Sequence, residues 1–112
     1  MSISKQTTGA NNATNPEGGD ALKGAALTDR LRRLDGWEVV NKHHLHKEYR
    51  FPDFVTALAF VNRIGELAES AGHHPDLALS WGKVGVQLFT HSEGGLTDAD
   101  FRLAADIDGL PH

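Results

Sequence analysis

The chain reads as an α+β domain: a four-stranded antiparallel sheet with three helices packed on one face, in the order α-β-β-α-β-β-α. Three observations predict this. One long segment, Asp53 to Ala71, repeats apolar residues at helical spacing. Two other stretches, Trp37 to Phe51 and Leu77 to Thr90, alternate with the period of two that half-buried strands require. Each of these stretches is broken by a short turn, so its strands pair as a hairpin, and helices between hairpins segregate to one side of the sheet.

Taken in order, residues Met1 to about Asp20 are rich in Ser, Thr, Asn and Gly and nearly free of apolar side chains. Such a stretch buries too little surface to offset its ordering entropy, so residues 1–22 are expected to be a disordered leader. The folded domain is expected over 27–108, without internal repeat or second domain. Thr28 suits the N-cap of a short helix running to Leu34 and stopped by Gly36. The first strand pair then fills Trp37 to Phe51. Leu45, Lys47, Tyr49 and Phe51 share one parity opposite His46, Glu48 and Arg50, and a turn falls around Lys42–His44.

In the long helix, Ala57, Val61, Ile64, Ala68 and Ala71 line one face. Asp53 can cap its start, and Gly72 stands where a left-handed residue ends a helix. Pro75 pushes His74 into extended geometry. Leu77, Leu79 and Trp81 alternate with Ala78 and Ser80, Gly82-Lys83 turns the chain, and Val84, Val86, Leu88 and Thr90 return, the opposite parity ending at His91. Thr97 caps a last helix to about Ile107.

Composition narrows the function classes. The chain has 112 residues, 39% hydrophobic and 23% charged, with a formal net charge of −4. That is ordinary for one globular domain and offers no basic field for nucleic acid or a membrane surface. Without cysteine there is no disulfide, thiolate nucleophile or zinc-thiolate site, which fits a reducing cytosol. No long apolar run and no signal-peptide pattern occur, so a cytoplasmic location is expected.

The chemistry concentrates in Gly72-His73-His74-Pro75, then His91 one hairpin later, then Asp100. Imidazole exchanges protons in both directions near neutral pH, so three rings and a carboxylate point to proton transfer on a small molecule. Alone, a His-His pair after a helix more often solvates the negative helix end. Consecutive residues in extended chain face opposite ways, so His73 and His74 cannot both present the same face to one ligand. Asp100 also reads as part of a capping box with Thr97, a role compatible with pairing an imidazolium. Glu69, in the last turn before His73, reads first as solvated helix surface. His43, His44 and His46, beside Lys42, Lys47 and Glu48, read as a polar hairpin. No metal is expected, because the histidines lack spacings such as H-E-x-x-H that aim two rings inward.

The stretch Glu69-Ser70-Ala71-Gly72-His73-His74-Pro75, then Trp81, Thr90-His91, Gly95-Leu96-Thr97 and Asp100, resembles the pterin-4a-carbinolamine dehydratase family. Gly36-Trp37, Phe51-x-Asp53-Phe54 and Lys83-Val84 extend the resemblance over about Leu27 to Asp108. Ser70 departs from a position that is often lysine, and Gly85 from one where animal members carry histidine.

The resemblance implies the same small α+β fold, assembled as a homodimer or homotetramer with sheet edges pairing between subunits. It implies loss of water from a 4a-hydroxytetrahydropterin, the product left by an aromatic amino acid hydroxylase, to give a quinonoid dihydropterin. His73, His74 and His91 then fall on the family's catalytic histidines and Asp100 on its functional acid. His73 and His91 would be the acid/base pair, His74 would position the pterin, and Asp100 would orient or charge-balance an imidazole. Glu69 and Trp81 are secondary candidates for holding substrate, although the alternating strand points Trp81 to the core. No cofactor is implied, since the pterin is the substrate and no electrons move. Two alternatives stay open: a protein-binding role, as in animal members that act as dimerisation cofactors of a homeodomain transcription factor, or a different pterin such as one in molybdopterin metabolism.

Overall fold

A computed structural model of the chain describes residues 21–112, so the expected leader lies outside the described residues up to position 20. Seven regular elements follow: α1 (Gly24–Arg32), β1 (Glu38–Val40), β2 (His44–Arg50), α2 (Phe54–Ala71), β3 (Asp76–Ser80), β4 (Lys83–Leu88) and α3 (Asp98–Asp108). The strands form one antiparallel sheet in the order β1-β2-β4-β3. This is the expected architecture, with the helices on one face.

The core lies between that face and the helices. Leu45 and Tyr49 on β2 and Val84, Val86 and Leu88 on β4 are buried against Ala57, Phe60, Ile64 and Ala68 of α2 and against Leu103 and Ile107 of α3. Lys47 shares the inward parity of β2. Its stem crosses the apolar layer and its ammonium donates to Asp108 Oδ1 (2.9 Å) and the Asp35 carbonyl (2.7 Å). Asp108 also accepts from Trp37 Nε1 at 3.0 Å and from the Tyr49 hydroxyl, so one carboxylate at the end of α3 ties that helix to β2 and to the residue that leads into β1.

Four local expectations are corrected. The first helix starts at Gly24, not after Thr28. The Thr28 hydroxyl donates back to the Gly24 carbonyl (3.2 Å) from within the helix and does not cap it. Leu22, placed in the leader by composition, donates its N–H to Leu96 O (2.7 Å) and packs against the core. The first hairpin turns at Asn41 (φ 54°) and Lys42 (φ 56°), closed by the His43 N–H on Val40 O at 2.9 Å. Asn tolerates left-handed backbone, so the turn forms without glycine.

The fourth correction concerns the second hairpin. β3 ends at Ser80, and Trp81-Gly82 makes the turn, so Trp81 is 68% exposed and leaves the core to Leu77 and Leu79. A Cβ at Gly82 would lie 2.7 Å from the Phe51 carbonyl oxygen, so only glycine lets this turn pass. At the other end of the hairpin the ladder stops at Leu88. Thr90 pairs with Gly95 across a loop, and His91, expected at a strand end, opens a 3₁₀ turn over His91–Glu93.

Candidate active site

Both ends of α2 are held as the sequence requires. Asp53 Oδ1 accepts the Thr56 N–H at 2.8 Å, and Gly72 takes left-handed geometry (φ 66°). The His73 N–H then donates to Ala68 O (3.2 Å), which fixes where the chain leaves the helix. The two histidines diverge from that point. His73 turns inward, its side chain 18% exposed, and Nε2 donates to Asp100 Oδ1 at 2.5 Å. His74 turns outward and meets the Glu69 carboxylate at 2.5 Å, both side chains being more than half exposed.

Asp100 is fully buried at the third position of α3. Its Oδ2 accepts the Thr97 N–H (2.9 Å), completing the capping box, and the Thr90 hydroxyl (2.7 Å). Since Thr90 spends its one proton on the carboxylate, the Thr97 hydroxyl donates to Thr90 Oγ1, 2.9 Å away. The burial of this carboxylate is supported by three donors and by the positive end of α3. A short charge-assisted bond to His73 is what such an anion is placed to make.

His91 follows Thr90 directly. It is exposed, and its ring lies against Phe89 with centroids 4.2 Å apart. Through Thr90 and Asp100 the structure therefore links His73 to the 3₁₀ turn that begins at His91. Glu69 belongs to His74 at the rim and not to the His73–Asp100 pair. Trp81 stands apart: it sits at the opposite end of the β3–β4 hairpin, five residues along β3 from Asp76, or about 17 Å at strand rise.

Thr90 and Phe89 carry parts of the site that residue type alone did not reveal. The available signal was parity, because Thr90 continues the inward stripe of Val84, Val86 and Leu88 as a polar residue. Among the described residues, no three His, Asp or Glu side chains gather to hold a metal ion. Nor, among them, is any helix long and apolar enough to cross a membrane.

Comparison with known proteins places the chain in a family. The family pattern described as pterin 4 alpha carbinolamine dehydratase matches residues 20–110. A Rubrobacter xylanophilus protein provisionally named a pterin-4-alpha-carbinolamine dehydratase is 52% identical over 89 residues, covering 80% of this chain and 83% of that one. A protein of the same provisional name from Alkaliphilus metalliredigens is 54% identical over 86 residues, covering 72% and 78%. Among solved structures, a transcriptional coactivator/pterin dehydratase from Brucella melitensis superposes with TM-score 0.77 at 33% identity, covering 80% of this chain and 97% of that one. A pterin dehydratase-like protein identified as a RuBisCO assembly factor in the alpha-carboxysome superposes with TM-score 0.59 at 25% identity, covering 67% and 88%. With a family pattern spanning nearly all the described residues and relatives half identical to it, this chain belongs to the pterin-4a-carbinolamine dehydratase family.

Proposed function

We propose that the protein removes water from a 4a-hydroxytetrahydropterin by histidine general acid/base catalysis. The observation that carries the reading is the His73–Asp100 pair, 2.5 Å apart with the carboxylate fully buried, which Thr90 connects to the turn that presents His91. In the dehydration the C4a–O bond breaks. The departing oxygen takes a proton and leaves as water, a ring N–H is lost, and the quinonoid dihydropterin remains. Hydroxide is a poor leaving group, so an acid must reach that oxygen. His73 suits this role, because the Asp100 carboxylate fixes its ring through Nε2 at 2.5 Å. Among the described residues no carboxylate lies at hydrogen-bond distance from His91, which suits the base that takes the ring proton. Solvent then returns each ring to its starting state.

His74, held by Glu69 at the rim, is placed to orient the pterin rather than to exchange its protons. The step moves no electrons and calls for no redox cofactor. On this reading the enzyme works in the cytoplasm downstream of an aromatic amino acid hydroxylase. The exposed Val55 and Leu58 on α2 (75% and 39% exposed) favour action as a homo-oligomer.

The test follows quinonoid dihydropterin formation from freshly generated carbinolamine with wild-type protein and with His73→Ala and His91→Ala. Each substitution is expected to lower kcat/KM by about 10²- to 10⁴-fold, the usual worth of a positioned proton transfer. A wild-type protein that does not accelerate the reaction, or variants that match it, would overturn the assignment.

A further inference from the structure

The β1–β2 hairpin reaches the site with a residue that the mechanism above leaves unused. Its tight turn holds Asn41 and Lys42 in left-handed backbone and is closed by the His43 N–H on Val40 O at 2.9 Å. The turn delivers His43. Its ring packs on Phe89 with centroids 4.8 Å apart, and Phe89 packs on His91 at 4.2 Å. The strand register brings the same elements together: Leu45 pairs with Leu88, so one step on, His44 lies level with Phe89.

The His43 ring is itself held. Its Nδ1 lies 3.2 Å from His44 Nδ1, and two nitrogens at that distance share one proton. Burial pushes the His44 imidazole below its usual pKa, and the neighbouring His43 and His46 add to the effect. The proton shared between the two Nδ1 atoms holds the His43 ring against His44.

We infer that His43 is a positioning residue for His91, acting through Phe89. His91 stands exposed on a 3₁₀ turn, where an imidazole would otherwise sample several rotamers. A base must be held close to its productive orientation, and the fraction of time spent elsewhere is lost from kcat. The row His43–Phe89–His91 restricts the ring on the face that meets Phe89. The polar hairpin is thus part of the site's scaffold. The inference rests on the dehydratase reading, with His91 as base.

The experiment compares full-length wild type, His43→Ala and His43→Phe by two readouts. One is the NMR resonance of the His91 ring Cε1–H, which senses the ring current of Phe89. The other is kcat and KM for the carbinolamine. His43→Ala is expected to move the His91 resonance toward its random-coil position and lower kcat about 3- to 10-fold at unchanged KM, the scale of one aromatic contact. His43→Phe, which keeps a ring on Phe89, should restore both. A His43→Ala protein with the wild-type His91 resonance and kcat would overturn the inference, as would a His43→Phe protein as impaired as the alanine variant. If the wild type itself fails to dehydrate the carbinolamine, the functional reading falls, while the His91 resonance still decides whether His43 orients that ring.

Discussion

Replacing Asp100 by asparagine or alanine separates the two jobs its carboxylate performs. The side chain is fully buried and accepts from His73 Nε2 (2.5 Å), Thr90 Oγ1 (2.7 Å) and Thr97 N (2.9 Å). Alanine removes the helix cap, about 1 kcal/mol, and the charge-assisted bond to His73, about 1.5–3 kcal/mol. It also leaves the Thr97 N–H and the Thr90 hydroxyl buried without an acceptor. The total is about 3–5 kcal/mol, the range seen when one partner of a buried pair is deleted. Against a domain stability of roughly 5–15 kcal/mol, that is a large share. Asparagine keeps the shape. Its carbonyl oxygen can take over the Thr97 N–H and the Thr90 hydroxyl, leaving its amide to donate to a neutral His73 ring, so its cost should be only about 1 kcal/mol. The imidazolium form of His73, however, loses its carboxylate. If His73 is the acid, losing about 1.5–3 kcal/mol of support lowers kcat/KM roughly 10- to 150-fold. Urea unfolding at pH 8 reads the first effect and the coupled carbinolamine assay the second. An asparagine variant with wild-type kcat/KM would refute the claim that the Asp100 carboxylate supports His73 as the acid. An alanine variant within about 1 kcal/mol of wild type would refute its structural weight.

Two further outcomes follow from the geometry. Tyr49 is the chain's single tyrosine, and burial, then the hydrogen bond to Asp108 and that residue's charge, push its phenol well above the usual value near 10. The unfolded phenol ionises first, so this contribution to stability is complete below about pH 10 and is lost as pH rises beyond it. Absorbance at 295 nm and far-UV circular dichroism should therefore change together in an alkaline titration, and a phenol that ionises near pH 10 within an intact fold would contradict this. Gly72→Ala meets no atom within 4 Å, so its cost is backbone strain at φ 66°, about 1–2 kcal/mol. A thermal midpoint lower by roughly 4–16 °C is expected, and an unchanged midpoint would show that the helix end does not depend on the left-handed residue.

What could be read before the coordinates divides along a physical line. Signals carried by neighbours in sequence were legible: the apolar repeat of α2, the Asp53 cap, the Gly72 stop and the Thr97–Asp100 box all appear in place. Signals that depend on a distant partner were not. Asp108 looks like the frayed end of a helix until Trp37, Lys47 and Tyr49, 59 to 71 residues earlier, are brought onto it. Thr28 has the composition of a cap yet bonds backward within α1, because hydroxyls compete for carbonyls as readily as for N–H groups. Trp81 continues an alternating pattern that parity cannot terminate; the close pass of Gly82 over Phe51 ends the strand there.

The histidines follow the same division, and this explains how the site is built. Extended backbone forces His73 and His74 to opposite sides, so the pair could never have been two equal ligands. What makes them unequal is where α3 begins. The Asp100 carboxylate that closes the capping box is also the one that receives His73, so the helix start and the inward-turned imidazole share one anion. Local chemistry accounts for the acid on α3, and tertiary packing selects which of two adjacent rings reaches it. Any change that shifts the start of α3 by one residue would therefore move the carboxylate about 100° around the helix, away from His73. A proton-transfer site anchored in this way is as stable as the helix cap it uses, and it fails with that cap.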